Sequence, residues 1–69
     1  MKTEYRSILW GSFVWYGEKI MTHATLDEAI NRIEKFSPPV RSVVNDGTVD
    51  FFTIPHNEMV ATVRCYITQ

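Results

Sequence analysis

The chain has 69 residues, a formal net charge of −1 and an ordinary apolar fraction of 45%, which means one small domain with a thin core, because chains this short bury only about 60% of the surface their unfolded form exposes. Near-neutral charge excludes a protein whose whole surface binds polyanions, and equally an acidic mimic of nucleic acid; 22% charged residues excludes a disordered tail. The single cysteine, Cys65, excludes an internal disulfide framework and suits a reducing cytoplasm, and no apolar run reaches the ~20 residues of a membrane span.

The segment Met1-Lys2-Thr3-Glu4-Tyr5-Arg6 lacks the charged-then-apolar order of a signal peptide, so the expectation is an intact small protein of the cytoplasm. Tyr5 to Trp15 is strand-like. Gly17 is read as the turn that brings the chain back into a second strand, Glu18 to His23; the other possibility is a turn or bulge at Gly11-Ser12. Thr25 to Phe36 predicts the one helix. Leu26, Ala29, Ile30, Ile33 and Phe36 recur at helical spacing and make one apolar stripe. Thr25 with Glu28 forms a capping box, and Asp27 and Glu28 suit the positive end of the helix dipole. Ser37-Pro38-Pro39 ends the helix, because proline has no N–H and disfavours helix in the residue before it.

Val40 to Asn45 and Val49 to Ile54 are β-branched and aromatic, and Asp46-Gly47 between them is a strong hairpin signal, since a type I′ turn needs positive φ. Pro55-His56-Asn57-Glu58 makes the next turn. Residues 59 to 67 alternate cleanly. Met59, Ala61, Val63, Cys65 and Ile67 fall on one side, and Val60, Thr62, Arg64 and Tyr66 on the other. The order β-β-α-β-β-β predicts a single α+β domain over residues 1–69: a small antiparallel sheet of about five strands with one helix on one face.

No chemistry-bearing motif emerges. His23, His56 and Cys65 match no structural zinc spacing, so no metal and no cofactor are expected. Cys65 lies in the apolar row of its strand and is expected to be buried and inert. With no nucleophile–base signature and little core for a deep pocket, no catalytic residue is expected.

Binding is the better expectation. Five of the nine aromatic residues, Tyr5, Trp10, Phe13, Trp15 and Tyr16, fall in the first sixteen positions, at both odd and even places. Alternate strand residues point to opposite faces, so large rings are expected on the face the helix leaves bare. Arg64 and Tyr66 are assigned to that face from the alternation of the last strand, joined by Arg6, Trp10 and Tyr16 if the first strand turns its even positions outward. Trp, Tyr and Arg are the residues that dominate binding hot spots. The expected partner is a protein or protein complex. A homodimer through the same face is a rival, and single-stranded nucleic acid is another, disfavoured because phosphate binding requires net positive charge on that surface.

The short chain, the β-β-α-β-β-β order, the lack of a catalytic motif and the helix opening Thr25-Leu26-Asp27-Glu28-Ala29-Ile30 together resemble small phage-encoded and mobile-element proteins that inhibit host machinery, such as anti-CRISPR proteins and other anti-defence factors. The resemblance implies a steric inhibitor of a host protein or defence complex, acting in the host cytoplasm. It carries over no individual functional residue.

Overall fold

A computed structural model describes residues 1–36 and 39–68. Its elements in chain order are β1 (Lys2–Leu9), a 3-10 helix (Gly11–Tyr16), β2 (Ile20–His23), α1 (Leu26–Glu34), β3 (Val40–Asn45), β4 (Thr48–Thr53) and β5 (Met59–Thr68). The five strands form one antiparallel sheet in the order β2-β1-β5-β4-β3. This is the α+β class that the sequence pattern implies. The last strand is the middle one, and α1 connects the two edges, leading from β2 to β3.

The helix begins where its sequence says. The Thr25 hydroxyl accepts a hydrogen bond from the Glu28 N–H at 3.2 Å, satisfying one of the amides that the first helical turn leaves without a partner. Ala29 and Ile33 are buried, and Ile30 and Phe36 are partly buried beside them. Ser37 and Pro38 of the expected stop lie outside the described residues. At the hairpin, Asp46 and Gly47 both take positive φ, 44° and 86°, as the primed turn requires.

The first third of the chain departs from expectation. The strand ends at Leu9, not Trp15, and residues 11–16 coil into the 3-10 helix. Gly11 is the cause. Its φ of +55° turns the backbone, and a Cβ there would stand 2.8 Å from Glu58 Oε2, so the position suits glycine on both counts. The Phe13 N–H then bonds the Trp10 carbonyl at 3.0 Å, and the Phe13 ring drops into the core. Burial of one ring overrides the strand propensity of Phe13 to Tyr16. The second strand is correspondingly shorter than expected, Ile20–His23.

The core lies on the helix side of the sheet. Leu9 of β1, Val49 and Phe51 of β4, and Ala61 and Val63 of β5 meet Phe13, Ala29 and Ile33 there. The helix packs on β1, β5 and β2. Nine helical residues span about 14 Å, whereas the ten residues of β5 run about 33 Å. Cys65 and Ile67 share a face with Ala61 and Val63 but lie beyond the covered part, and both are exposed. The expectation that Cys65 is buried fails for this reason: alternation identifies a residue's face, while burial depends on how far the covering layer reaches.

Candidate functional site

Two surfaces carry the polar chemistry, one on each side of the sheet. On the helix side an open groove of about 720 Å³ runs between β2 and α1, walled by Tyr16, Met21, Glu28 and Phe36, with His23 and Arg32 also lining it. The Tyr16 and Phe36 rings stack at 5.1 Å between centroids, and the Phe13 ring meets Tyr16 edge-on, also at 5.1 Å. Tyr16 therefore does not join Arg64 and Tyr66 as expected. It sits on the 3-10 helix, on the opposite side of the molecule, because the first strand ends before reaching it.

Beneath the groove, Ser7 is completely buried on β1. Its Oγ lies 2.8 Å from His23 Nε2, and Arg32 Nη1 donates to it at 2.9 Å. Arg32 also donates to the Glu18 carbonyl. Burial, reinforced by the neighbouring Arg32 charge and opposed by Glu28, holds His23 below its ordinary pKa. The imidazole is thus neutral near pH 7, and the Ser7 hydroxyl accepts from Arg32 while sharing a hydrogen bond with Nε2 and reaching the Met21 carbonyl at 3.5 Å. A hydroxyl paired with a neutral imidazole resembles a nucleophile and its base. With Ser7 sealed under the sheet surface, however, no reacting atom can reach Oγ. What the triad does is join β1, β2 and α1 through one hydroxyl. The sequence carried a signal for it: Ser7 interrupts the inward row Tyr5, Ser7, Leu9, and a buried hydroxyl requires a partner.

The other surface is the open face of the sheet, on which no helix lies among the described residues. The pairing Arg6↔Arg64 and Glu4↔Tyr66 puts these side chains together on it. Arg6 lies over the Tyr66 ring, 4.0 Å from its centroid, and also bonds Glu4 Oε2 at 3.2 Å. Arg64 is exposed. At the diagonally opposite corner Arg41 lies over the Phe52 ring at 4.9 Å and donates to Asn57 Oδ1. Between the corners, Thr62 donates to Asp50 Oδ1 at 2.7 Å.

Trp10 follows β1 in extended conformation, and its N–H bonds the Val60 carbonyl at 2.6 Å. Continued alternation from the buried Leu9 places it on the open face. Of the expected surface residues, Arg6, Arg64, Tyr66 and Trp10 therefore share a face, with Trp10 toward its Phe52 end. Of the five N-terminal rings, only Trp10 lies there. Tyr5 packs against the core, Phe13 enters it, and Trp15 points almost wholly into solvent, 89% exposed. The rings expected on the bare face come instead from Phe52 and Tyr66. Arg41 and Phe52 are the members sequence reasoning missed. The Phe51-Phe52 pair announced that one ring must face outward, but Arg41 joins it only through the β3–β4 register.

Among the described residues there is no group of three or more His, Cys, Asp or Glu side chains able to hold a metal ion, and no helix long and apolar enough to cross a membrane. In comparisons with family models, curated proteins and solved structures, nothing matches this chain.

Proposed function

We propose that the protein is a non-enzymatic binding module whose working surface is the open face of its sheet, and that it acts sterically, by occupying a surface of a larger partner. The supporting observation is the pair Arg6 and Arg64. Like charges directly opposite on neighbouring strands destabilise a sheet, and these two stand side by side on the face away from the helix. An arrangement that costs stability in the free protein is relieved when a complementary group docks on it. In the helix-side groove Arg32 is bonded to Ser7 and Glu18, whereas on the open face Arg6 is bonded to Glu4 and Arg64 stands exposed beside it.

An inhibitor of a host protein or defence complex, encoded by a phage or mobile element, is the form of this proposal that the resemblance suggests. The test is a paired set of exposed-site variants: Arg64→Glu and Tyr66→Ala on the open face, Lys35→Glu beside the groove. Material bound by the wild-type chain should be lost with the first two and kept with the third. Loss only with Lys35→Glu would place the working surface at the groove.

A further inference from the structure

The ionised side chains are sorted by face. The register places Lys2, Arg6, Arg41 and Arg64 on the open face, against only Glu4 and Asp50. The other three cations, Lys19, Arg32 and Lys35, lie elsewhere with the other six acids. The chain's net charge of −1 thus divides into an open face of +2 and a remainder of −3. A near-neutral protein with a positive sheet face meets the condition that phosphate binding sets and overall composition hides.

We propose that the open face binds single-stranded nucleic acid. The inference rests on the reading of that face as the working surface and names the partner's chemistry. Charge alone would equally suit an acidic protein; the aromatic pairings decide. Two of the cations are guanidinium planes laid over rings, Arg6 on Tyr66 and Arg41 on Phe52, with Trp10 on the same face. Flat guanidinium and aromatic surfaces offer stacking places for bases, which carry a π-face, whereas a carboxylate side chain would use the guanidinium edges and leave the rings unused.

The two arginine-on-ring places occupy opposite corners, and strand spacing and rise separate Arg64 from Arg41 by roughly 17 Å. That is a path for several nucleotides, with Arg6 and Arg64 holding backbone phosphate between them at one end. Stacking on these guanidinium and ring surfaces requires bases that are unstacked and free, so the strand the face suits is a single one. Of the two acids on this face, Glu4 is bonded to Arg6 at one end and Asp50 is tied to Thr62 midway, so a strand crossing the face meets one acid between its two ends.

The experiment measures fluorescence anisotropy of labelled oligothymidylate and oligouridylate of about ten nucleotides, beside a duplex of equal length and an oligoglutamate peptide. The wild-type chain should bind the single strands best. With three arginines engaged, affinity should fall with a log–log salt slope of about −2, on the order of 20-fold between 50 and 200 mM salt. Arg64→Gln should reduce the slope by about 0.7, and Arg6→Gln likewise. Trp10 fluorescence should change on binding, and circular dichroism checks that each variant is folded. Binding of oligoglutamate but not of oligonucleotide, lost in Arg64→Gln, would overturn the nucleic-acid assignment while leaving the open face as the working surface. Oligonucleotide binding that is unchanged in Arg6→Gln, Arg64→Gln and Arg41→Gln but falls in Lys35→Gln would overturn the open-face reading itself. No binding of any probe at low salt would overturn the inference that this face takes a polyanion.

Discussion

β1 and β5 each pass through two different environments. At one end, Leu9 of β1 and Ala61 and Val63 of β5 lie under the helix and the 3-10 turn with essentially no exposure. At the other end the same two strands carry Glu4, Arg6, Arg64, Cys65 and Ile67 into solvent or half into it. Ladder hydrogen bonding continues along the pair from Lys2↔Thr68 to Leu9↔Ala61. The backbone alone therefore does not decide where stability resides. Side-chain burial does, and it is concentrated where a short helix covers a long strand. The bare end is held by the ladder and left free for contact.

The largest test of this contrast is to empty the covered end. Phe51 is fully buried, and Phe51→Ala should cost about 3–5 kcal/mol, enough to unfold much of a domain this small. Chemical denaturation measures it, and a wild-type midpoint would mean that the covered end is not the seat of stability. Ile33→Ala should follow at about 2–4 kcal/mol by the same mechanism.

Gly11→Ala should come next. The new methyl meets Glu58 Oε2 at 2.8 Å and the residue is held at φ +55°. The backbone term costs about 1–2 kcal/mol, and Glu58, a flexible exposed side chain, can swing away. The double variant Gly11→Ala/Glu58→Ala separates the two: any recovery is the steric share, and the remainder is backbone strain.

Ser7→Ala should destabilise by about 1 kcal/mol, because Arg32 and His23 lose their shared partner but both reach the open groove. The pH dependence sharpens this. The folded pKa of His23 lies below its ordinary value of 6.5, so the unfolded chain takes up the proton more readily. This group's contribution is fully present above about pH 6.5 and is lost as pH falls from there through the folded pKa. His23→Gln should flatten that limb of the stability profile, measured by denaturation at stepped pH, and an unchanged limb would assign the titration to another group.

At the bare end the effects should be smallest. Tyr66→Ala removes a half-buried ring and its contact with Arg6, for about 0.5–1 kcal/mol. Cys65 should react with a thiol reagent in the native protein at a rate near that of the unfolded chain. Strong protection of Cys65 would mean that something covers this end in solution, such as a second copy of the chain.

Sequence reasoning read the local signals well and the coverage poorly. The Thr25 cap and the Asp46-Gly47 turn involve near neighbours, and each appears as expected. The alternation of β5 holds from Ala61 onward but breaks before it, where the register shifts, Phe52 pairs with Met59, and Val60 is buried in the core with Ala61 instead of facing outward. The fate of residues 10–16 depended on Gly11 fitting against Glu58, a contact between distant parts of the chain. Ser7, His23 and Arg32 come together only once three elements dock. Arg6, Arg64 and Tyr66 could be placed because β1, and β5 from Ala61 onward, keep alternation. Tyr16 could not, because its place depended on where the first strand stops. The charge on the open face was beyond reach for the same reason: Arg41 joins Lys2 and Arg6 only after the register of four strands is known.

The middle position of β5 has a consequence for how the chain acquires its structure. As residues emerge in order, β1 with β2, and β3 with β4, can each form a hairpin, but the two hairpins share no strand and stay unconnected until Met59–Thr68 is available to lie between them. Contacts between distant parts of the chain are slow to form. Until then the inner edges of β1 and β4 are unpaired templates for a neighbouring chain. Folding should therefore be late and abrupt, with domain swapping of β5 between two copies as its characteristic failure at high concentration.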